Sequence, residues 1–79
     1  MTLKQLKAFL VLARTLNYAH AADELCLSQS ALSLSIKSLE EELGGKLFKR
    51  NTRFVHLTHE GQALIPYEKK LLANWDDME

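Results

Sequence analysis

The residues best equipped for specific chemistry lie between positions 29 and 37. On a helix turning about 100° per residue, Ser30, Leu34, Lys37 and Glu41 gather on one side, with Gln29 and Ser33 flanking them near the N-terminal end. These groups donate, accept and carry charge, and none is poised as a nucleophile. A glutamine amide can bond adenine through two contacts, serine can bond bases or phosphates, and lysine suits phosphate or guanine. Serine is a poor helix former, yet Ser30, Ser33, Ser35 and Ser38 all occur here. A helix selected only for stability favours Ala, Glu or Lys at such positions. Leu34 can meet a thymine methyl, although a lone exposed leucine is also ordinary. The plainer reading of the whole face is solvent-facing polar surface.

A second group follows. Lys49, Arg50 and Arg53 stand on or beside a short polar segment with no acid nearby. Such a segment can track a phosphate backbone, and an arginine at its tip can enter a minor groove. The alternative is a solvated charged loop. The formal net charge is zero, but it is unevenly spread. Residues 1–22 carry Lys4, Lys7 and Arg14 without an acid, a local +3. Residues 23–43 sum to −4, 44–59 to +4 and 60–79 to −3. A partner meets the local field, so neutrality does not exclude a polyanion.

Bond-making chemistry finds no support. His56 and His59 are three apart with no third ligand close by, so no metal is expected. Cys26 has no histidine at a suggestive spacing and reads as a small packing residue. Glu40, Glu41 and Glu42 read as a solvated helix face. Gly44-Gly45 reads as a helix stop rather than a nucleotide cradle. No catalytic residue, cofactor or enzyme activity is expected.

These groups must be held by a small fold. A chain of 79 residues has room for one thin core and buries only roughly 60% of its unfolded surface, so a partner would help its stability. The single cysteine cannot form an internal disulfide and suits a reducing compartment. The longest apolar run, residues 8–13, is far shorter than the ~20 residues that span a membrane, and no secretory signal pattern is present.

Thr2-Leu3-Lys4-Gln5 fits a capping box, after which Leu3, Leu6, Phe9, Leu10, Ala13 and Leu16 follow helical spacing. Asn17 is placed to cap a short second helix with Tyr18, Ala21, Ala22 and Leu25 on its apolar face. Ser28 is the next cap, and Leu32, Ile36, Leu39 and Leu43 form the inner face of a third helix ended by Gly44. Residues 47–50 and 54–57 are β-compatible runs around Asn51-Thr52-Arg53, which reads as a hairpin. Thr58 caps a final helix with an apolar stripe of Leu64, Leu71, Trp75 and Met78, widened by Tyr67 and Leu72 and kinked at Pro66. Two helices joined by a short turn and followed by a hairpin match a mainly α winged helix-turn-helix, three helices plus a two-stranded wing, with a long C-terminal helix, although the periodicity of many three-helix bundles is similar.

The ordered residues resemble the N-terminal DNA-binding region of LysR-type transcriptional regulators over essentially the whole chain. The resemblance is carried by Leu3-x-x-Leu6-x-x-Phe9, Ala21-Ala22-x-x-Leu25 and Ser28-Gln29-x-Ala31-Leu32-Ser33. It continues through Ile36-x-x-Leu39-Glu40-x-x-Leu43-Gly44, Leu47-Phe48-x-Arg50 and Leu57-Thr58-x-x-Gly61. It implies a winged helix-turn-helix over residues 1–58 and a linker helix over 59–79 that forms a homodimer. By resemblance, Gln29, Ser30 and Ser33 match recognition-helix positions used on DNA, Arg50 and Arg53 match wing positions, and Asn17 and His20 match backbone-contact positions. Leu34 departs from the family pattern, which usually has Arg, Lys or another polar residue there. Ser30 stands where proline is frequent, Gly45 where a larger residue is typical, and His56 where Arg or Lys is common. Fewer charges imply weaker backbone affinity and a shallower salt dependence.

The expectation is therefore a cytoplasmic, nucleoid-associated reader of double-stranded DNA, with helix 28–43 in the major groove and wing 47–57 on the backbone or minor groove. Gln29, Ser30, Ser33, Leu34 and Lys37 are the expected readers, with Asn17, His20, Arg50 and Arg53 beside them. Leu64, Leu71, Leu72, Trp75 and Met78 are expected to pair two copies, because burying large apolar side chains stabilises a marginal domain. The same helix can also pack on the first helix of its own chain. Any small-molecule effector is expected to act only through a C-terminal domain absent from this chain. The competing reading is a winged-helix module used for protein–protein contact or dimerisation without DNA reading.

Overall fold

The computed structural model describes residues 2–51 and 54–77. Its elements run α1 (Leu3–Thr15), α2 (Tyr18–Leu25), α3 (Gln29–Leu43), β1 (Phe48–Arg50), β2 (Val55–Leu57) and α4 (His59–Asp77). The two strands pair antiparallel, with Phe48 opposite Leu57, Lys49 opposite His56 and Arg50 opposite Val55. This is the expected winged helix-turn-helix followed by a long C-terminal helix. Arg53 and Met78 lie outside the described residues, as do the side chains of Leu72 and Trp75.

Each helix starts where a side-chain oxygen can take up an orphan backbone N–H. Thr2 Oγ1 accepts from the Gln5 N–H at 3.1 Å while Gln5 Oε1 accepts from the Thr2 N–H at 2.9 Å, completing the capping box. Asn17 Oδ1 accepts from the His20 N–H at 3.0 Å, and Ser28 Oγ from the Ala31 N–H at 3.1 Å. The C-terminal ends are less economical. Gly44 closes α3 at φ 77°, a conformation glycine adopts freely, but Leu16 and Cys26 close α1 and α2 at φ 52° and 58°. The turn between α2 and α3 therefore uses Cys26 where glycine is the easier choice. Cys26 is exposed there, a correction to its expected packing role: its left-handed backbone serves the turn, and its thiol faces outward.

The core joins the three N-terminal helices and the wing. Leu6, Ala8, Phe9 and Leu12 of α1 are buried with Ala21 and Ala22 of α2, Leu32, Ile36 and Leu39 of α3, and Leu47 and Phe48 at the wing. Ala21 and Ala22 are small enough to let α2 lie close against its neighbours. Phe9 and Phe48 meet with ring centroids 5.6 Å apart and planes tilted by 53°, fixing the wing to α1. Leu43 does not complete the α3 row. It is 45% exposed, one turn past the edge of the core.

Helix α4 continues through Pro66 without a break. Pro66 and Gln62 are both exposed, so water can satisfy the Gln62 carbonyl that proline deprives of its helical donor. Leu64 and Ile65 pack against the core, whereas Tyr67 and Leu71 are exposed. Glu68 is wholly buried, and neither carboxylate oxygen has a hydrogen-bond partner. Burial pushes its carboxyl above the ordinary 4.5.

Candidate nucleic-acid interface

The helix-turn-helix is closed by backbone. The Leu27 N–H donates to the Ala22 carbonyl at 2.9 Å and the Cys26 N–H to the Asp23 carbonyl at 3.2 Å, which turns the chain and releases Ser28 to cap α3. With Leu32, Ile36 and Leu39 turned into the core, the opposite side of α3 faces out. Gln29, Ser30, Leu34 and Lys37 are exposed and Ser33 is half-buried. Ser38 is used differently. Its hydroxyl accepts from Gln5 Nε2 at 3.2 Å and ties α3 to α1.

An open groove of about 570 Å³ runs beside the start of α3, lined among others by Asn17, Tyr18, Gln29, Arg50 and Phe54. It brings together three separate groups of expected site residues: the start of α2, the start of α3 and the wing. Arg50 lies over the Tyr18 ring, 4.5 Å from its centroid, which orients the guanidinium beside the groove. Burial pushes the Tyr18 phenol above its ordinary 10.0, opposed by the Arg50 charge and reinforced by Glu40, so the ring stays neutral beneath the cation. His20 is exposed on α2, and its backbone N–H is the one Asn17 caps. The cap uses the Asn17 oxygen, and its amide nitrogen is a separate donor.

The root of the wing depends on Glu40, whose role the sequence did not reveal, together with Thr58 and Gly61. Glu40 Oε2 accepts from the backbone N–H groups of Leu47 at 2.7 Å and Phe48 at 3.3 Å, while Lys46 Nζ lies 3.9 Å from Oε1. Glu40 is therefore corrected from a solvated acid to the clamp between α3 and β1. Thr58 completes the base: its hydroxyl donates to the Lys46 carbonyl at 2.6 Å and accepts from the Gly61 N–H at 3.0 Å. Gly61 is required by close approach, because a Cβ there would collide with the Leu47 carbonyl oxygen. The useful signals were Thr58 and Gly61 standing three apart and an acid one turn before a glycine stop. At the other end of the hairpin, the Phe54 N–H donates to Asn51 Oδ1 at 2.7 Å and the Asn51 N–H to the Phe54 carbonyl at 3.0 Å.

On α4, Tyr67 and Leu71 stand one turn apart with 70% and 40% of their surface exposed. Leu64 is half-buried against the core, so among the described side chains of the expected stripe Tyr67 and Leu71 are the exposed ones. Among the described residues there is no cluster of His, Cys, Asp or Glu that could hold a metal, and no helix is long and apolar enough to cross a membrane.

Comparison with known proteins gives a consistent result. Residues 3–62 match the family described as "Bacterial regulatory helix-turn-helix protein, lysR family". The HTH-type transcriptional activator AmpR of Pseudomonas aeruginosa is 52% identical over 66 residues, 84% of this chain and 22% of that protein. The HTH-type transcriptional regulator HdfR of Yersinia enterocolitica is 41% identical over 75 residues, covering 95% of this chain and 26% of the relative. The chain thus spans about a quarter of the length of these relatives. Among solved structures, the BenM DNA-binding domain in complex with catB site 1 DNA superposes with a TM-score of 0.92 at 42% identity, covering 99% of this chain and 88% of that one. A full-length OxyR variant from Pseudomonas aeruginosa gives 0.93 at 33% identity, over 99% of this chain and 26% of its own.

Proposed function

Because this chain belongs to the LysR family of bacterial regulatory helix-turn-helix proteins, we propose that it binds double-stranded DNA in a sequence-specific way as the reader of a transcriptional regulator. Helix α3 enters the major groove. Gln29, Ser30 and Ser33 meet base edges or phosphates, and Lys37 meets phosphate or guanine. Arg50 and Arg53 lie along the backbone or minor groove, with Asn17 and His20 at a flanking phosphate near the start of α2. The observation that supports this most is the groove that joins Asn17, Gln29 and Arg50, residues from three separate parts of the fold.

The same reading places residues 1–58 as the reader and 59–79 as the linker, with two copies pairing through α4. Tyr67 and Leu71 offer exposed apolar surface, and Leu72, Trp75 and Met78 continue the pattern in sequence. A symmetric pair calls for a roughly palindromic site with spaced half-sites. A small-molecule effector would act through a part of the protein other than this reader. Function inside the cytoplasm, on the nucleoid, follows from the same reading.

Selection of bound fragments from a random DNA pool tests the proposal. It should enrich one motif, and binding to it should weaken as salt rises. Failure to form any complex near 50 mM salt would overturn DNA binding and favour a module for protein contact.

A further inference from the structure

We infer that Leu34 selects thymine at one position of each half-site by packing on its C5-methyl group. The inference rests on the DNA reading proposed above and adds to it a determinant of sequence. Leu34 is 66% exposed near the middle of the outward face of α3. Ser30 lies one turn before it and Lys37 one turn after, both exposed and polar. This side chain is not part of the core, which is filled from the opposite side of the helix by Leu32, Ile36 and Leu39.

In the major groove, base edges offer donors and acceptors almost everywhere, and the thymine methyl is the apolar exception. Leucine placed over a guanine, adenine or cytosine edge strips water from polar atoms without replacing the lost hydrogen bonds. Over thymine it buries methyl against methyl. Selection therefore comes from both attraction to one base and a penalty on the other three. The polar neighbours fix the helix on the groove and leave Leu34 to discriminate at its own position.

The test uses DNA selected from a random pool, with each thymine replaced in turn by deoxyuridine, which lacks only the C5-methyl. Binding of the chain is followed by fluorescence anisotropy. Removing the critical methyl should weaken binding about fourfold per half-site, the equivalent of about 0.8 kcal/mol for one buried methyl-sized group. Leu34→Ala should bind the thymine and uracil duplexes alike, and its exposed position leaves the fold intact. Leu34→Arg should move the preference at that position towards guanine. Indifference to uracil at every thymine would overturn the inference while leaving DNA binding in place. Retention of the thymine preference by Leu34→Ala would overturn it equally. Absence of any complex would overturn the DNA reading and this inference with it.

Discussion

The carboxylate of Glu40 accepts a hydrogen bond from the backbone N–H of Leu47 at 2.7 Å, so the third helix holds the root of the wing directly. The same oxygen accepts from Phe48, whose ring packs on Phe9. The helix facing outward and the hairpin beside it are thereby kept in one relative position, which a two-part grip on DNA requires. Such alignment contributes more than either part alone, because the ordering is done before binding.

Glu40→Ala should leave the Leu47 amide without its charged acceptor and lower stability by about 1.5–3 kcal/mol. Urea unfolding measures the loss, and hydrogen exchange should show the Leu47 and Phe48 amides opening first. Glu40→Gln, which keeps a carbonyl acceptor, should recover part of the loss.

Gly61→Ala should be among the most damaging single-methyl changes in the chain. The new Cβ meets the Leu47 carbonyl, a backbone atom that cannot rotate away, and the Leu57 side chain at 2.8 Å. A loss of about 1–3 kcal/mol is expected by thermal unfolding, with weaker pairing of β1 and β2. Gly45→Ala, where the added Cβ meets nothing within 4 Å, is the control.

Glu68 should make stability fall as pH rises. Burial raises its carboxyl in the folded state above the ordinary 4.5, so the folded chain holds the proton more tightly than the unfolded chain. The native state is therefore favoured at low pH. The contribution is lost as pH climbs from the ordinary carboxylate range through the raised value. Glu68→Gln should flatten this part of the pH–stability curve. Glu68→Met, similar in volume and without orphaned oxygens, should stabilise the chain at pH 7 by about 1–3 kcal/mol in urea melts.

Leu71→Glu should raise the monomer fraction in sedimentation equilibrium, since it places a charge on the outer side of α4 beside Tyr67. The substitution is at an exposed site, so the thermal midpoint of the monomer should change little. An unchanged dimer would move the subunit contact away from this face.

The sequence made all four helix starts legible because each is a local event: an oxygen-bearing side chain next to a periodic apolar run. Thr2, Asn17, Ser28 and Thr58 each cap as their types indicate. The outward face of α3 was legible for the same reason, since the inner row of Leu32, Ile36 and Leu39 fixes the rotation of the helix. Leu43 misled because periodicity cannot show where a core ends. Glu40 was hidden because a glutamate beside two others reads as solvent surface, and its acceptor role depends on backbone N–H groups seven and eight residues away. Glu68 was hidden for the converse reason. A charged residue inside a helix predicts exposure, and packing against other elements overrode that preference. Cys26 shows a further limit, since composition cannot tell when a non-glycine residue accepts a left-handed turn.

If α3 reads bases while the wing grips the backbone, Gln29→Ala and Arg50→Ala must fail in different ways. Each variant is titrated by fluorescence anisotropy against the selected DNA and against every single-base-pair change in it. Gln29→Ala should lose about 1–3 kcal/mol of discrimination at one base pair and keep its preferences elsewhere. Arg50→Ala should weaken binding evenly across all the duplexes and reduce the salt dependence by about one ion. An even loss for Gln29→Ala, with every base preference preserved, would show that α3 does not read bases through this residue.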